Sequence, residues 1–369
     1  MRIVFAIQDS MPNGRVGPEF TPHLWKLISQ GGGWSPAGGR SVLASSTYPN
    51  HASFVTGTDV QQHRIFTNDV WDGTRFVPSA TVGPVGETIF DIARAGGVST
   101  AAVLGDQVMV PVMTAERADV HWPPQEQLGP GVGRDALGYA GNSAVLDAID
   151  STYALDADLC FVHFNEPDSS LHRFGPGAQE TLDTIRACDR DLAELVEKLR
   201  PAWDDTILFV VSDHEQEQVD ANFEPIDMKA LLDSAGLPGH VNNEGTVALI
   251  VDGPAPERVA ELPEIEAAVT LDEGIVLAWS SHGRVFGAAN KGAQGQHGSP
   301  RTQTQVASVA GGHPMVASIA ESLEKRVPHA TDWAPTIAAM FGLDLAEACL
   351  LYTSPSPRDR TRSRMPSSA

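Results

Sequence analysis

Three carboxylates, three imidazoles and one hydroxyl stand beside apolar runs of this chain in a repeated pattern. Asp9 follows RIVFAIQ. Asp168 follows LCFVHFNEP, with His172 four residues on, and Asp213 and His214 follow ILFVVS. His297, in GQHGSP, comes just before QVASVAG, and Thr47 follows SVLASS. Each has an ordinary reading. Asp9 or Asp213 could cap a turn or a helix. Asp168 and His172 could be a surface pair one helical turn apart, and His297 a loop histidine. As a set they have the makeup of a site for two divalent cations. Hard oxygen mixed with borderline nitrogen suits zinc, with manganese, iron or cobalt as alternatives. Thr47 lies in ASSTYPNHASFVTG, where a strand end turns into a helix. Its hydroxyl could cap that helix, with Pro49 in the first turn. It could instead be a nucleophile held where helix N-termini bind anions.

The elements that must position these groups are legible as alternating runs. Residues 2–7, 100–105, 158–164, 206–212, 246–252 and 305–311 read as buried strands. Amphipathic segments at 21–30, 86–97, 179–200 and 331–343 read as helices, the longest with Leu182, Ile185, Leu192, Leu195 and Leu199 on one face. Strand–helix alternation predicts an α/β fold with a mainly parallel sheet covered on both faces. Sites in such sheets form beyond the carboxyl ends of the strands. Residues 217–291 break the alternation, with the helix-like PIDMKALLDSAG, two strand-like runs and the helix-like APERVAELPEIEAA. The expected organisation is therefore a core in two parts, 1–216 and 292–348, with a small inserted α+β cap at 217–291. Residues 349–369, CLLYTSPSPRDRTRSRMPSSA, are rich in Ser, Pro and Arg in an otherwise acidic chain. They read as translated sequencing-adapter read-through, outside the fold.

Composition narrows the partners. The formal net charge of −22 over 369 residues argues against a nucleic-acid polymer or an anionic membrane. It leaves a small anionic substrate open, because bound cations reverse the local field. The three cysteines, Cys160, Cys188 and Cys349, form no CxxC pair, so neither a disulfide framework nor a cysteine-based zinc knuckle is expected. With no apolar run of about 18 residues and no leader features in the opening residues, a cytoplasmic location is expected.

TYPNH, EPDSSLHRFGP, VVSDH and QHG, in that order, resemble the motifs of the type I phosphodiesterase / nucleotide pyrophosphatase family, part of the alkaline phosphatase superfamily. The resemblance runs from Asp9 to about Ala348. It implies an alkaline-phosphatase-like fold in which Asp168, His172 and His297 hold one zinc ion and Asp9, Asp213 and His214 the second. Thr47 would attack phosphorus as its alkoxide, and Asn50 would donate to a phosphoryl oxygen. A free threonine hydroxyl is a poor nucleophile at neutral pH, and a coordinating cation favours the alkoxide. The implied function is metal-dependent phosphoester hydrolysis, of a phosphodiester or nucleotide pyrophosphate, through a phospho-threonine intermediate. A phosphonate (phosphonoacetate-type) hydrolase on the same two-metal site is the alternative, and a catalytically silent binding protein a third reading. A sulfatase would need a CxPxR-type motif, and a mutase of the superfamily a serine; the chain has TYPNH.

Neighbouring residues carry weaker expectations. His63, Asn68 and Asp69 follow the nucleophile segment as in relatives and are candidates to line the pocket. His51 and His163 read as packing residues. His282 also precedes a glycine, but His297 is preferred because it lies just before the returning core strand. Relatives commonly carry glycine after the Asp–His pair, where this chain has Glu215; it reads as a solvated carboxylate or one behind the ligands, with disturbance of the pocket or an interaction with a substrate phosphate as the alternative.

Overall fold

The protein is described by a computed structural model over residues 1–345; residues 346–369, which include Cys349 and the expected tail, lie outside the described residues. The first strands are β1 (Arg2–Gln8), β2 (Gly33–Trp34), β3 (Thr100–Leu104), β4 (Val120–Trp122), β5 (Leu159–Phe164) and β6 (Thr206–Val211). A second group follows: β7 (His240–Glu244), β8 (Val247–Val251), β9 (Ile265–Asp272) and β10 (Ile275–Ser280), before β11 (Ala307–Ala310). The central sheet has seven strands in the order β2-β11-β6-β1-β5-β3-β4. From β6 to β4 all neighbours are parallel, whereas β11 and β2 add antiparallel at one edge. The fold is thus α/β, with a mainly parallel central sheet.

The central strands are apolar on both faces because helices cover both. Phe5 of β1 packs beside Phe161, Phe209, Phe54 and Trp333, with ring centroids 5.2–6.1 Å apart. Phe54 belongs to α2 (Thr47–Thr56), which follows α1 (Pro22–Ser29). On the opposite face, Val4 and Ala6 share a cluster with Ile185, Cys188, Leu192 and Leu195. Those four residues lie on the long helix that follows α3 (Ile89–Gly96), α4 (Asn142–Thr152) and α5 (Asp168–Phe174), namely α6 (Gln179–Leu199). No helix among the described residues is long and apolar enough to cross a membrane.

The second group of strands makes its own antiparallel sheet, in the order β7-β8-β10-β9. The run at 246–252 belongs to it and not to the central sheet. One face, with Ala248, Ile250, Val276 and Ala278, closes on α7 (Met228–Ser234) and α8 (Pro256–Ala260) through Met228, Leu232 and Val259. The other, with Val247, Leu249 and Leu277, joins the main core. The helix expected over APERVAELPEIEAA is only α8. Pro263 cannot continue it, Glu264 takes φ 66°, and the chain then runs as β9.

Register fixes where the chemistry can sit. Ile7 of β1 pairs with His163 of β5 and Val211 of β6. The residues just beyond those strands, Asp9, Asp168 and Asp213, therefore emerge at one edge of the sheet.

Candidate metal centre and nucleophile

Thr47 is the first residue of α2, entered through Ser46 in extended conformation (φ −128°, ψ 163°) with no side-chain cap on the helix. Its hydroxyl does not cap. Thr47 Oγ1 lies 3.1 Å from His214 Nε2, so it is directed at the group that follows β6.

The structure brings all six candidate ligands together. One donor atom each from Asp168, His172 and His297 lies within 4.8 Å of the others, and so it does for Asp9, Asp168 and His214. Asp213 joins the second group, with Oδ2 3.3 Å from His214 Nε2. The rings of His214 and His297 stack at 4.0 Å, and those of His172 and His297 are 5.1 Å apart. His282, by contrast, is 69% exposed and 3.8 Å from Glu217.

Hydrogen bonds select which atoms face inward. Asp213 Oδ1 accepts from the backbone N–H groups of Ser10 and His214, each at 3.0 Å, and Oδ2 is buried without a partner. Asp9 Oδ2 accepts from His163 Nε2 at 3.1 Å, and Oδ1 is buried without a partner. Asp168 Oδ1 accepts from Ser10 Oγ at 2.8 Å and Gln216 Nε2 at 2.6 Å, while Oδ2 faces His172 at 3.4 Å. His172 Nδ1 donates to the Gly295 carbonyl at 3.1 Å. A Cβ on Gly295 would stand 2.5 Å from the Leu171 carbonyl, so only glycine allows this approach. His214 Nδ1 donates to Ser10 Oγ at 2.9 Å and the Glu215 carbonyl at 3.2 Å. Both imidazoles therefore turn Nδ1 to the protein and Nε2 inward.

Electrostatics point the same way. Burial, then the carboxylates of Asp213 and Asp168, push Asp9 well above the usual carboxylate range. Burial, then His214 and His172, hold His297 well below the usual imidazole range. Buried carboxylates crowded together are costly unless a cation pairs with them. The unpartnered oxygens of Asp9 and Asp213, and the mixed oxygen and nitrogen set, fit two divalent cations.

Asn50 requires a correction. It is fully buried; its Oδ1 accepts from the Val42 N–H at 2.9 Å and its Nδ2 donates to the Ser46 carbonyl at 2.8 Å. Both amide atoms are thus engaged by the backbone around the turn, so Asn50 braces that turn. Asn68 is the amide beside the helix start. Its Oδ1 accepts the Tyr48 N–H at 3.1 Å, which leaves its NH2 group for other partners. Glu244, at the end of β7, holds Asn68 by accepting its backbone N–H at 2.7 Å. Burial pushes Glu244 up to about 7.

His63 is a packing residue, not a pocket wall. It accepts from the Ile65 N–H and contacts Ser53 Oγ at 3.0 Å, and burial lowers it to about 3. His51 Nδ1 donates to the Thr47 carbonyl at 2.7 Å. Glu215 turns away from the cluster and accepts the Asn13 N–H at 2.8 Å, pinning the loop after β1. Sequence reasoning passed over Ser10, Gln216 and Glu244, and took His163 for packing alone. Adjacency to Asp9 and His214 was the available signal for Ser10 and Gln216; Glu244 had none.

The profile of type I phosphodiesterase / nucleotide pyrophosphatase matches residues 7–294. The venom phosphodiesterase of Macrovipera lebetinus is 26% identical over 193 residues, 50% of this chain and 22% of that protein. Human ectonucleotide pyrophosphatase/phosphodiesterase family member 5 is 26% identical over 217 residues, 54% of this chain and 41% of that protein. The chain thus spans well under half the length of these curated relatives. The structure of murine ectonucleotide pyrophosphatase / phosphodiesterase 5 superposes with a TM-score of 0.71 at 17% identity, covering 95% of this chain and 97% of the other. An inactive threonine-to-alanine form of that protein, in complex with AMP, superposes with the same score.

Proposed function

The chain belongs to the type I phosphodiesterase / nucleotide pyrophosphatase family, and we propose that it hydrolyses phosphodiester or nucleotide pyrophosphate bonds through Thr47. The observation that carries this is the 3.1 Å approach of Thr47 Oγ1 to His214 Nε2, within a cluster whose donor atoms are left free by the hydrogen bonds around them. Asp168, His172 and His297 would hold one divalent cation and Asp9, Asp213 and His214 the other, with zinc first and manganese, iron or cobalt as alternatives. When bound, such ions supply Lewis acidity that favours the Thr47 alkoxide and offsets charge on the phosphoryl group.

The chain's own residues do the rest. Thr47 Oγ forms the bond to phosphorus as the bond to the leaving oxygen breaks, giving phospho-threonine; water then cleaves that ester and restores the hydroxyl. Asn68 offers its NH2 group, and α2 its N-terminus, to the negative charge that develops. Asn50 keeps the turn in shape. Residues 217–291 act as a cap, supported by the separate sheet and by Glu244, which reaches the nucleophile side. The AMP complex of the murine structure supports a small nucleotide as substrate.

The test is a side-by-side assay of bis-p-nitrophenyl phosphate, a nucleotide pyrophosphate, p-nitrophenyl phosphate and phosphonoacetate, with and without chelator. Diester or pyrophosphate turnover that chelation abolishes and zinc restores is the expected result. Turnover that survives complete metal removal would sink the two-cation reading. Faster turnover of phosphonoacetate than of any ester would favour the phosphonate reading, and two bound ions without turnover of any substrate a silent scaffold.

A further inference from the structure

We propose that Ser10 is a positioning residue that ties the two cation positions to each other; the proposal rests on the two-cation reading above. Ser10 is fully buried. Its hydroxyl donates to Asp168 Oδ1 at 2.8 Å and accepts from His214 Nδ1 at 2.9 Å, and its backbone N–H donates to Asp213 Oδ1 at 3.0 Å. One residue thus touches three of the six ligands. Asp168 belongs to one position, and Asp213 and His214 to the other. They arrive from the ends of β5 and β6, while Ser10 follows β1.

Each contact takes the atom that does not face the centre. The hydroxyl keeps Asp168 Oδ2 pointing inward and fixes the His214 tautomer that bares Nε2. Because a single oxygen serves both ligands, a shift at one is passed to the other.

The backbone gives independent support. Ser10 has φ 57°, a left-handed conformation that L-residues with a side chain adopt at a cost and glycine adopts freely. The hydroxyl is what serine adds there in return for that strain. Removing it does not strip the ligands bare. Asp168 Oδ1 keeps Gln216 Nε2 at 2.6 Å, and His214 Nδ1 keeps the Glu215 carbonyl at 3.2 Å. The fold should survive while the ligands lose their common anchor.

The experiment uses the full chain stripped of metal, as wild type, Ser10→Gly and Ser10→Ala. Zinc is titrated against a chromophoric chelator, cobalt is followed by its visible spectrum, and the melting temperature of each metal-free form is recorded. The expected result is that both variants still take up two ions, with both positions weakened together by roughly tenfold to a hundredfold. The cobalt spectrum shifts alike in both variants. Metal-free Ser10→Gly melts above Ser10→Ala, because glycine relieves the backbone. Unchanged affinities would overturn the proposal, as would weakening confined to one position. So would affinities that follow melting temperature, with Ser10→Gly binding like wild type. A wild-type chain that takes up no ion would instead sink the two-cation reading on which this stands.

Discussion

A carboxylate can offer a cation one oxygen or two, and at this centre hydrogen bonds make the choice. Asp9, Asp168 and Asp213 each have one oxygen engaged by the protein, so each is left with one for a metal. The same economy applies to Thr47, whose hydroxyl has His214 Nε2 as its one hydrogen-bond partner among the described residues. Thr47→Ala should lower turnover by at least roughly a thousandfold while two ions still bind; metal analysis beside kcat checks this. The two amides should separate by readout. Asn68→Ala should lower kcat about a hundredfold, with a loss of stability of about 1 kcal/mol from the Tyr48 N–H it leaves unpaired. Asn50→Ala should cost about 1–3 kcal/mol of stability, because it strands the Val42 N–H and removes one of the two donors to the Ser46 carbonyl; thermal unfolding and kcat, measured on both, decide. The six candidate ligands, which the structure brings together, were legible because Asp9, Asp168, Asp213 and His214 follow strands, His172 stands one helical turn from Asp168, and His297 precedes the returning strand. Asn50 misled because, although it shares a helix face with Thr47, the backbone at Val42 and Ser46 takes its amide, and no spacing along the chain reveals that. His163 could not be read as a partner of Asp9, since a hydrogen-bond partner across a sheet leaves no spacing along the chain, and Ser10 offered only its adjacency to Asp9.

Between elements, charged groups clamp the four-stranded antiparallel sheet to the loop that carries His297. Buried Glu217 accepts from Arg301 through both oxygens at 2.8 and 2.9 Å and from Ser299 Oγ at 2.9 Å. Arg301 also donates to the Ser280 carbonyl at 3.0 Å and reaches Glu266 on β9. Arg301→Met should destabilise by about 3 kcal/mol, because it leaves Glu217 buried without its partner, and adding Glu217→Gln should recover part of that loss; denaturant unfolding of single and double variants tests it. The turn after β7 makes the second contact. Gly245 has φ 56°, and a Cβ there would lie 2.4 Å from the His297 carbonyl, the same carbonyl that accepts from Thr246 at 2.9 Å. Glu244 adds a pH dependence. With its pKa raised from an ordinary 4.5 to about 7, the folded state holds a proton that the unfolded state has lost. Its contribution is fully present below pH 4.5 and falls away as pH rises through 7. Glu244→Gln should flatten that part of the stability curve by up to about 3 kcal/mol; unfolding at a series of pH values measures it. The central strands were legible because unbroken apolar runs mean a sheet buried on both faces. The stretch after α8 was not, since its apolar spacing fits helix and strand alike and only Pro263 separates them.

At the scale of the whole molecule, the centre places negative charge in the interior of a chain that is already strongly acidic. Metal removal should therefore lower the melting temperature, and the gap between loaded and stripped forms should widen as pH rises from about 5 to 8. Asp9, with its raised pKa, favours the stripped fold only while protonated. Calorimetry of both forms across that range would show a constant gap if the cluster held no ions. The site also draws on the full length of the described chain. Asp9 is translated first and His297 last, with the cap made just before it. On a ribosome Asp9, Asp213 and His214 have thus all emerged before the loop that carries His297, so the candidate donor set is complete only once that later loop has folded back onto them.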